Sequence, residues 1–171
     1  MLPTTKEMAM QIALMHELHP KDTVSKLAER LMYSPVFMIN ALDEGEQMEL
    51  FSRIKEKDQI MAVTSLNYDT LQGSEFGQEN FRIQNEILRV VIDANKDEAD
   101  VETGTLDMWT IGIRPADIEI ALHLLKNIGW LVEYTVKNPK DKDSNYRFLT
   151  LRINEGKEWG KKQLKSEKKK K

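Results

Sequence analysis

The stretch Pro115-Ala-Asp-Ile-Glu-Ile-Ala-Leu-His-Leu-Leu-Lys-Asn-Ile-Gly129 runs directly into Trp130-Leu-Val-Glu-Tyr-Thr-Val136 and, after a polar turn, Tyr146-Arg-Phe-Leu-Thr-Leu-Arg-Ile153. Pro115 suits the first turn of a helix, where its missing N–H costs nothing, and Gly129 suits the left-handed residue that ends one. Trp130, Val132, Tyr134 and Val136 then alternate with Leu131, Glu133 and Thr135, the period of a half-buried strand. Asn138-Pro139 and Ser144-Asn145 supply turn chemistry. The reading is a helix that feeds a two-stranded ribbon.

Upstream, Asn80 is a candidate cap for a helix from Phe81 to Ala94, with Phe81, Ile87, Leu88, Val91 and Ile92 on its apolar side. That helix is apolar enough to form either the core of one domain or a homodimer seam. Asn95 to Gly104 reads as an acidic loop, and Leu106 to Ile113 as a short strand or a turn of helix. Residues 65–79 hold two glycines and little periodicity, and 67–79 are expected to be a linker.

The first half starts with apolar residues at helical spacing from Met8 to Leu18, capped by Thr4 or Thr5 and stopped near Pro20. Thr23 is a cap for a helix from Val24 to Met32. Ser34-Pro35 opens a third helix, expected to run through Ala41. Gly45 is expected to break it, Gln47 to Lys57 to resume helical character, and Ile60 to Thr64 to form a strand.

Composition narrows the class. The chain has 171 residues, enough for one medium domain or two small ones, and its 40% hydrophobic and 31% charged residues fit a globular protein. With no cysteine, disulfides and thiolate metal sites are excluded, and a reducing, cytoplasmic setting is expected. No apolar run approaches the roughly 20 residues of a membrane helix, so no membrane partner is expected. Residues 157–171 hold eight lysines and two glutamates, net +6, which leaves −9 on the rest of the chain. This tail is expected to be disordered.

From Val24 to Ala41 the chain resembles the helix-turn-helix family. Leu27, Leu31, Tyr33, Met38 and Ala41 fall at its apolar offsets and Ala28 at its small-residue position, while Met32 stands where the turn usually carries glycine. Residues 80–153 resemble a winged-helix domain, with Pro115 to Ile128 as the recognition-type helix and Lys137 to Arg147 as the wing. The expected architecture is therefore mainly α with short β-hairpins (α+β): a helix-turn-helix or winged-helix-like domain at 1–66, the linker, a winged-helix domain at 80–156 and the tail at 157–171. Tandem winged-helix proteins include transcription regulators, replication initiators (plasmid and phage ones among them) and scaffolding subunits that bind only protein.

The resemblance implies a non-enzymatic protein that binds double-stranded DNA through Arg114, Lys126, Lys137, Lys140, Lys142, Asn145 and Arg147. Asp117, Glu119, Asp141 and Asp143 interleave those cations. The helix after Pro35 carries Val36, Phe37, Ile39 and Asn40 and is followed by acids. Docking of a protein partner through Phe37, Ile39 and Asn40 is accordingly the alternative. No catalytic triad or phosphate-binding glycine loop is recognisable, and no cofactor is expected. His16 and His19 share a helix face, but two ligands fall short of a zinc site, so no metal is expected. Asp93, Asn95 and Asp97 alternate as in a calcium loop, but Glu98 stands where glycine is needed and Gly104 where the final acid is needed.

Overall fold

The structure is a computed structural model that describes residues 3–62, 75–106, 113–141 and 143–169. It is an α+β protein: among the described residues there are six α-helices and two small antiparallel sheets. The chain divides into two compact units, Met1–Phe81 and Arg82–Lys171. Among the described residues no helix is long and apolar enough to cross a membrane.

The first unit contains α1 (Thr5–Leu18), α2 (Val24–Leu31), α3 (Pro35–Gln47), β1 (Phe51–Ile54) and β2 (Gln59–Ala62). Thr4 and Glu7 form a reciprocal capping box at the start of α1, each side chain accepting from the other's backbone N–H at 3.2 Å. Helix α1 is buried on several faces, packing against α2, α3 and β2, so it forms the centre of the unit rather than one wall. Thr23 and Ser34 cap α2 and α3 as their sequence positions predict. Met32 ends α2 at φ 61°, the left-handed conformation that a glycine would hold more cheaply.

Two expectations fail beyond α3. Gly45 does not break the helix, which continues to Gln47; an added Cβ would lie 2.1 Å from the buried Phe51 ring, so the glycine is a notch for that ring. The expected helix at Gln47–Lys57 is instead strand β1 and a turn, because Phe51 seats in the notch and β1 pairs with β2 from Phe51↔Ala62 to Ile54↔Gln59. The hairpin turn then caps α2. Val24 N–H donates to the Asp58 carbonyl at 2.7 Å, and Ser25 Oγ donates to its carboxylate at 2.9 Å. That long-range cap satisfies helix donors that the local sequence alone leaves open.

The second unit is built from α4 (Glu75–Lys96, from residue 82 onward), β3 (Val101–Glu102), α5 (Pro115–Ile128), β4 (Leu131–Lys137), β5 (Asn145–Leu151) and α6 (Trp159–Lys169). Its sheet runs β3-β5-β4, in register from Leu131↔Leu151 to Lys137↔Asn145. Ile83, Ile87 and Val91 of α4 and Ile118, Ala121, Leu122 and Leu125 of α5 pack with Val101, Leu131 and Leu149 into one core. Gly129 closes α5 at φ 90°, as its position predicts.

Helix α4 begins at Glu75, inside the expected linker and ahead of Asn80, which is buried in the helix instead of capping it. The loop expected at Asn95–Gly104 contains strand β3, drawn into the sheet by burial of Val101 opposite Leu149. The reading of Leu106 to Ile113 falls largely on 107–112, outside the described residues.

The tail is also different from its expectation: residues 159–169 are helical. Trp159 is buried, and Gly160 N–H donates to Tyr134 Oη at 2.8 Å and to Asp100 Oδ2 at 3.2 Å. Gln163 accepts from Asp100 N–H at 2.9 Å and donates to Asp100 C=O at 3.2 Å. A run of lysines is a poor guide here because the anchoring residues, Trp159, Gly160 and Gln163, precede or interrupt it.

Candidate interaction surfaces

Helix α3 buries Met38, Ala41, Leu42 and Gly45 and turns the rest of its first two turns to solvent. Val36 is 67% exposed and Ile39 is 54% exposed; Met32, Phe37 and Asn40 are exposed beside them. Val36, Ile39, Asn40 and Asp43 lie at helical i, i+3, i+4 and i+7 spacing, so they form one stripe. Its far end is acidic but tied down: Arg53 donates to Asp43 at 2.5 Å and to Glu46. The Glu46 hydrogen bond, opposed by burial and helped by Asp43, raises the Arg53 pKa above its ordinary value. The guanidinium bridges β1 and α3.

The cations proposed for DNA are placed unevenly. Arg114 forks onto Asp117 at 3.0 and 3.1 Å, at the start of its own helix. Lys126 lies 3.5 Å and Arg147 4.0 Å from one oxygen of Glu133, whose other oxygen accepts from Thr103 Oγ1 at 2.7 Å. Three of the seven candidates are therefore partnered by carboxylates. Lys137 and Asn145 face each other as a cross-strand pair, and with Lys140 they are exposed. Lys142 lies outside the described residues. The turn that carries Lys140 is braced, with Asn138 Oδ1 accepting from Lys140 N–H at 2.9 Å. Helix α5 itself buries seven of its 14 residues, and its partly exposed positions include Asp117, Glu119 and His123.

No protein-family model matches the chain, and no curated protein or solved structure is significantly similar to it.

A second apolar surface was not singled out in the sequence. In the second unit, Leu88 and Ile92 of α4, Ile128, Trp130, Leu151 and Ile153 line a cleft of about 350 Å³. Trp130 is 59% and Ile153 85% exposed. The available signal was surplus: Ile92 adjoins the core residue Val91, and Ile153 lies past the last strand, so neither is needed to fill the core. Among the described residues no group of three or more His, Asp or Glu side chains is placed to hold a metal ion.

Proposed function

We propose that the chain is a non-enzymatic protein-docking module, built on two winged-helix-like units and suited by its lack of cysteine to a cytoplasmic setting. Three helices followed by a hairpin support that architecture for the first unit. In the second, α4, β3, α5 and the β4–β5 ribbon follow a comparable order, with β3 added to the ribbon.

The observation that carries the docking reading is the exposed apolar start of α3, in the position of a recognition helix. Covering Met32, Val36, Phe37 and Ile39 would release about 5 kcal/mol of gross apolar burial, scaled by their exposure. Association costs roughly 4–15 kcal/mol before any net affinity appears. A partner must therefore add polar contacts, and Asn40, exposed on the same stripe, is placed to make one. The test is a photo-crosslinking residue at position 39 of the full chain in its native cells, with one at exposed Lys21 as control. A discrete adduct from position 39, lost on Phe37→Asp with the melting curve unchanged, is expected. Absence of an adduct, or adducts of equal yield from both positions, would count against the assignment.

Lys137 and Lys140 on the ribbon and Lys161, Lys162 and Lys165 on α6 are exposed, which favours DNA binding as a second reading. Each phosphate contact adds about one unit to the slope of log affinity against log salt. Lys137→Glu with Lys140→Glu would flatten that slope if the ribbon touches duplex DNA. Charge reversal is preferable to truncation before α6, because removing Trp159 and Gly160 would strip partners from Asp100 and Tyr134.

A further inference from the structure

We propose that the cleft around Trp130 is a docking site for an acidic amphipathic segment of a protein partner. This inference concerns the second unit and does not depend on the α3 surface. The walls come from three places: Leu88 and Ile92 from α4, Ile128 and Trp130 from the junction of α5 with β4, and Leu151 and Ile153 from the end of β5. At about 350 Å³ the cleft is at the small end for ligand pockets and accommodates one or two large apolar side chains. A half-exposed tryptophan at its edge is the residue type that most often anchors such contacts.

Charge decides among occupants. Arg152 is the charged side chain that lines the cleft. Its guanidinium packs over Gly129, where an added Cβ would lie 2.7 Å from it, and it has no carboxylate partner among the described residues. Lys96, one turn beyond Ile92 on α4, is exposed and likewise unpaired among the described residues. Residues 82–156 of the second unit hold ten basic and 13 acidic residues, so the attraction at the cleft is that of Arg152 and Lys96 themselves and not of the unit as a whole. A second copy seated by a two-fold axis would press Arg152 towards Arg152 while desolvating both. A purely apolar ligand would cover Arg152 and leave its charge uncompensated. A segment with two large apolar residues one helical turn apart and a flanking Asp or Glu fills the cleft and answers the cation.

The test is selection of a displayed library of random 16-residue peptides on the full-length chain, depleted against Trp130→Asp. Trp130 is largely exposed, so an unchanged melting curve is the check that this variant folds. Enriched sequences that pair large apolar residues at i, i+3 or i+4 with Asp or Glu are expected. For one such peptide, Trp130→Asp should weaken binding about thirtyfold. Arg152→Glu should weaken it about five- to tenfold and leave a charge-reversed lysine twin the better ligand. The proposal is overturned by enrichment without acids, by no enrichment that Trp130→Asp depletes, or by an unchanged affinity in Arg152→Glu. It is also overturned if sedimentation shows a dimer that Trp130→Asp dissolves, since the cleft then belongs to a second copy.

Discussion

Replacing Asn95 by leucine tests how the second unit is held together. Asn95 is buried at the end of α4 and ties that helix to three other segments at once. Its Oδ1 accepts from Thr150 Oγ1 at 3.1 Å, Leu151 N–H at 3.1 Å and Asn154 Nδ2 at 2.8 Å. Its Nδ2 donates to the Ala99 carbonyl at 2.9 Å and to Asp100 Oδ1 at 3.3 Å. Leucine has nearly the same size, so it leaves little room for a replacement water, and it can make none of these bonds. Thr150 is buried and Leu151 partly so, and each stranded donor costs about 1–3 kcal/mol. Roughly 1 kcal/mol of extra apolar burial offsets part of that. The expected net loss is about 3 kcal/mol, a large share of the roughly 5–15 kcal/mol that holds a typical domain. The assay is urea unfolding followed by tryptophan fluorescence. All three tryptophans (Trp109, Trp130 and Trp159) fall in the second unit, so the signal reports that unit alone. A loss below about 1 kcal/mol at unchanged slope would refute the hub role of Asn95.

Gly45→Ala should destabilise the first unit by about 1–3 kcal/mol despite alanine's better helix propensity, because the new methyl meets the buried Phe51 ring. The measurement is the circular-dichroism transition that tryptophan fluorescence does not follow, and a higher midpoint would refute the notch. Met32→Gly should leave the first unit as stable or up to about 1 kcal/mol more stable, since it relieves a left-handed methionine at the end of α2; a loss above that size would mean the exposed side chain has a structural role. For Tyr134, burial, helped by the hydrogen bond to Asp100, raises the phenol pKa above its ordinary value of about 10. A raised native pKa leaves its contribution intact below pH 10 and removes it as pH climbs through the native value. The second unit should therefore lose more stability above pH 10 than its Tyr134→Phe variant, and equal alkaline slopes would count against it.

The local signals were legible where they act within a few residues. Thr4, Thr23, Ser34, Pro35 and Gly129 mark helix ends because capping is a matter of one side chain and the next three N–H groups. The β4–β5 ribbon was legible from its alternation and its turn residues. Gly45 misled because a glycine that makes room for a distant ring looks in sequence like one that breaks a helix. Phe51 to Ile54 misled for the same reason, since pairing with Gln59–Ala62 overrides a weak local helical preference. Phe37, Ile39 and Asn40 are neighbours within one helix and could be picked out from its spacing, whereas the Trp130 cleft needed three chain segments to be brought together.

The sequence by itself determined the order of most elements, the two-part organisation and the uneven charge, because these follow from periodicity, caps and composition. Only the tertiary structure decided that Lys126 and Arg147 share Glu133, that Asp100 and Tyr134 hold a lysine-rich helix in place, and that Arg152 stands over an apolar cleft. Each of these joins groups far apart in the chain, and the free energy of such contacts depends on burial and distance that no local pattern encodes.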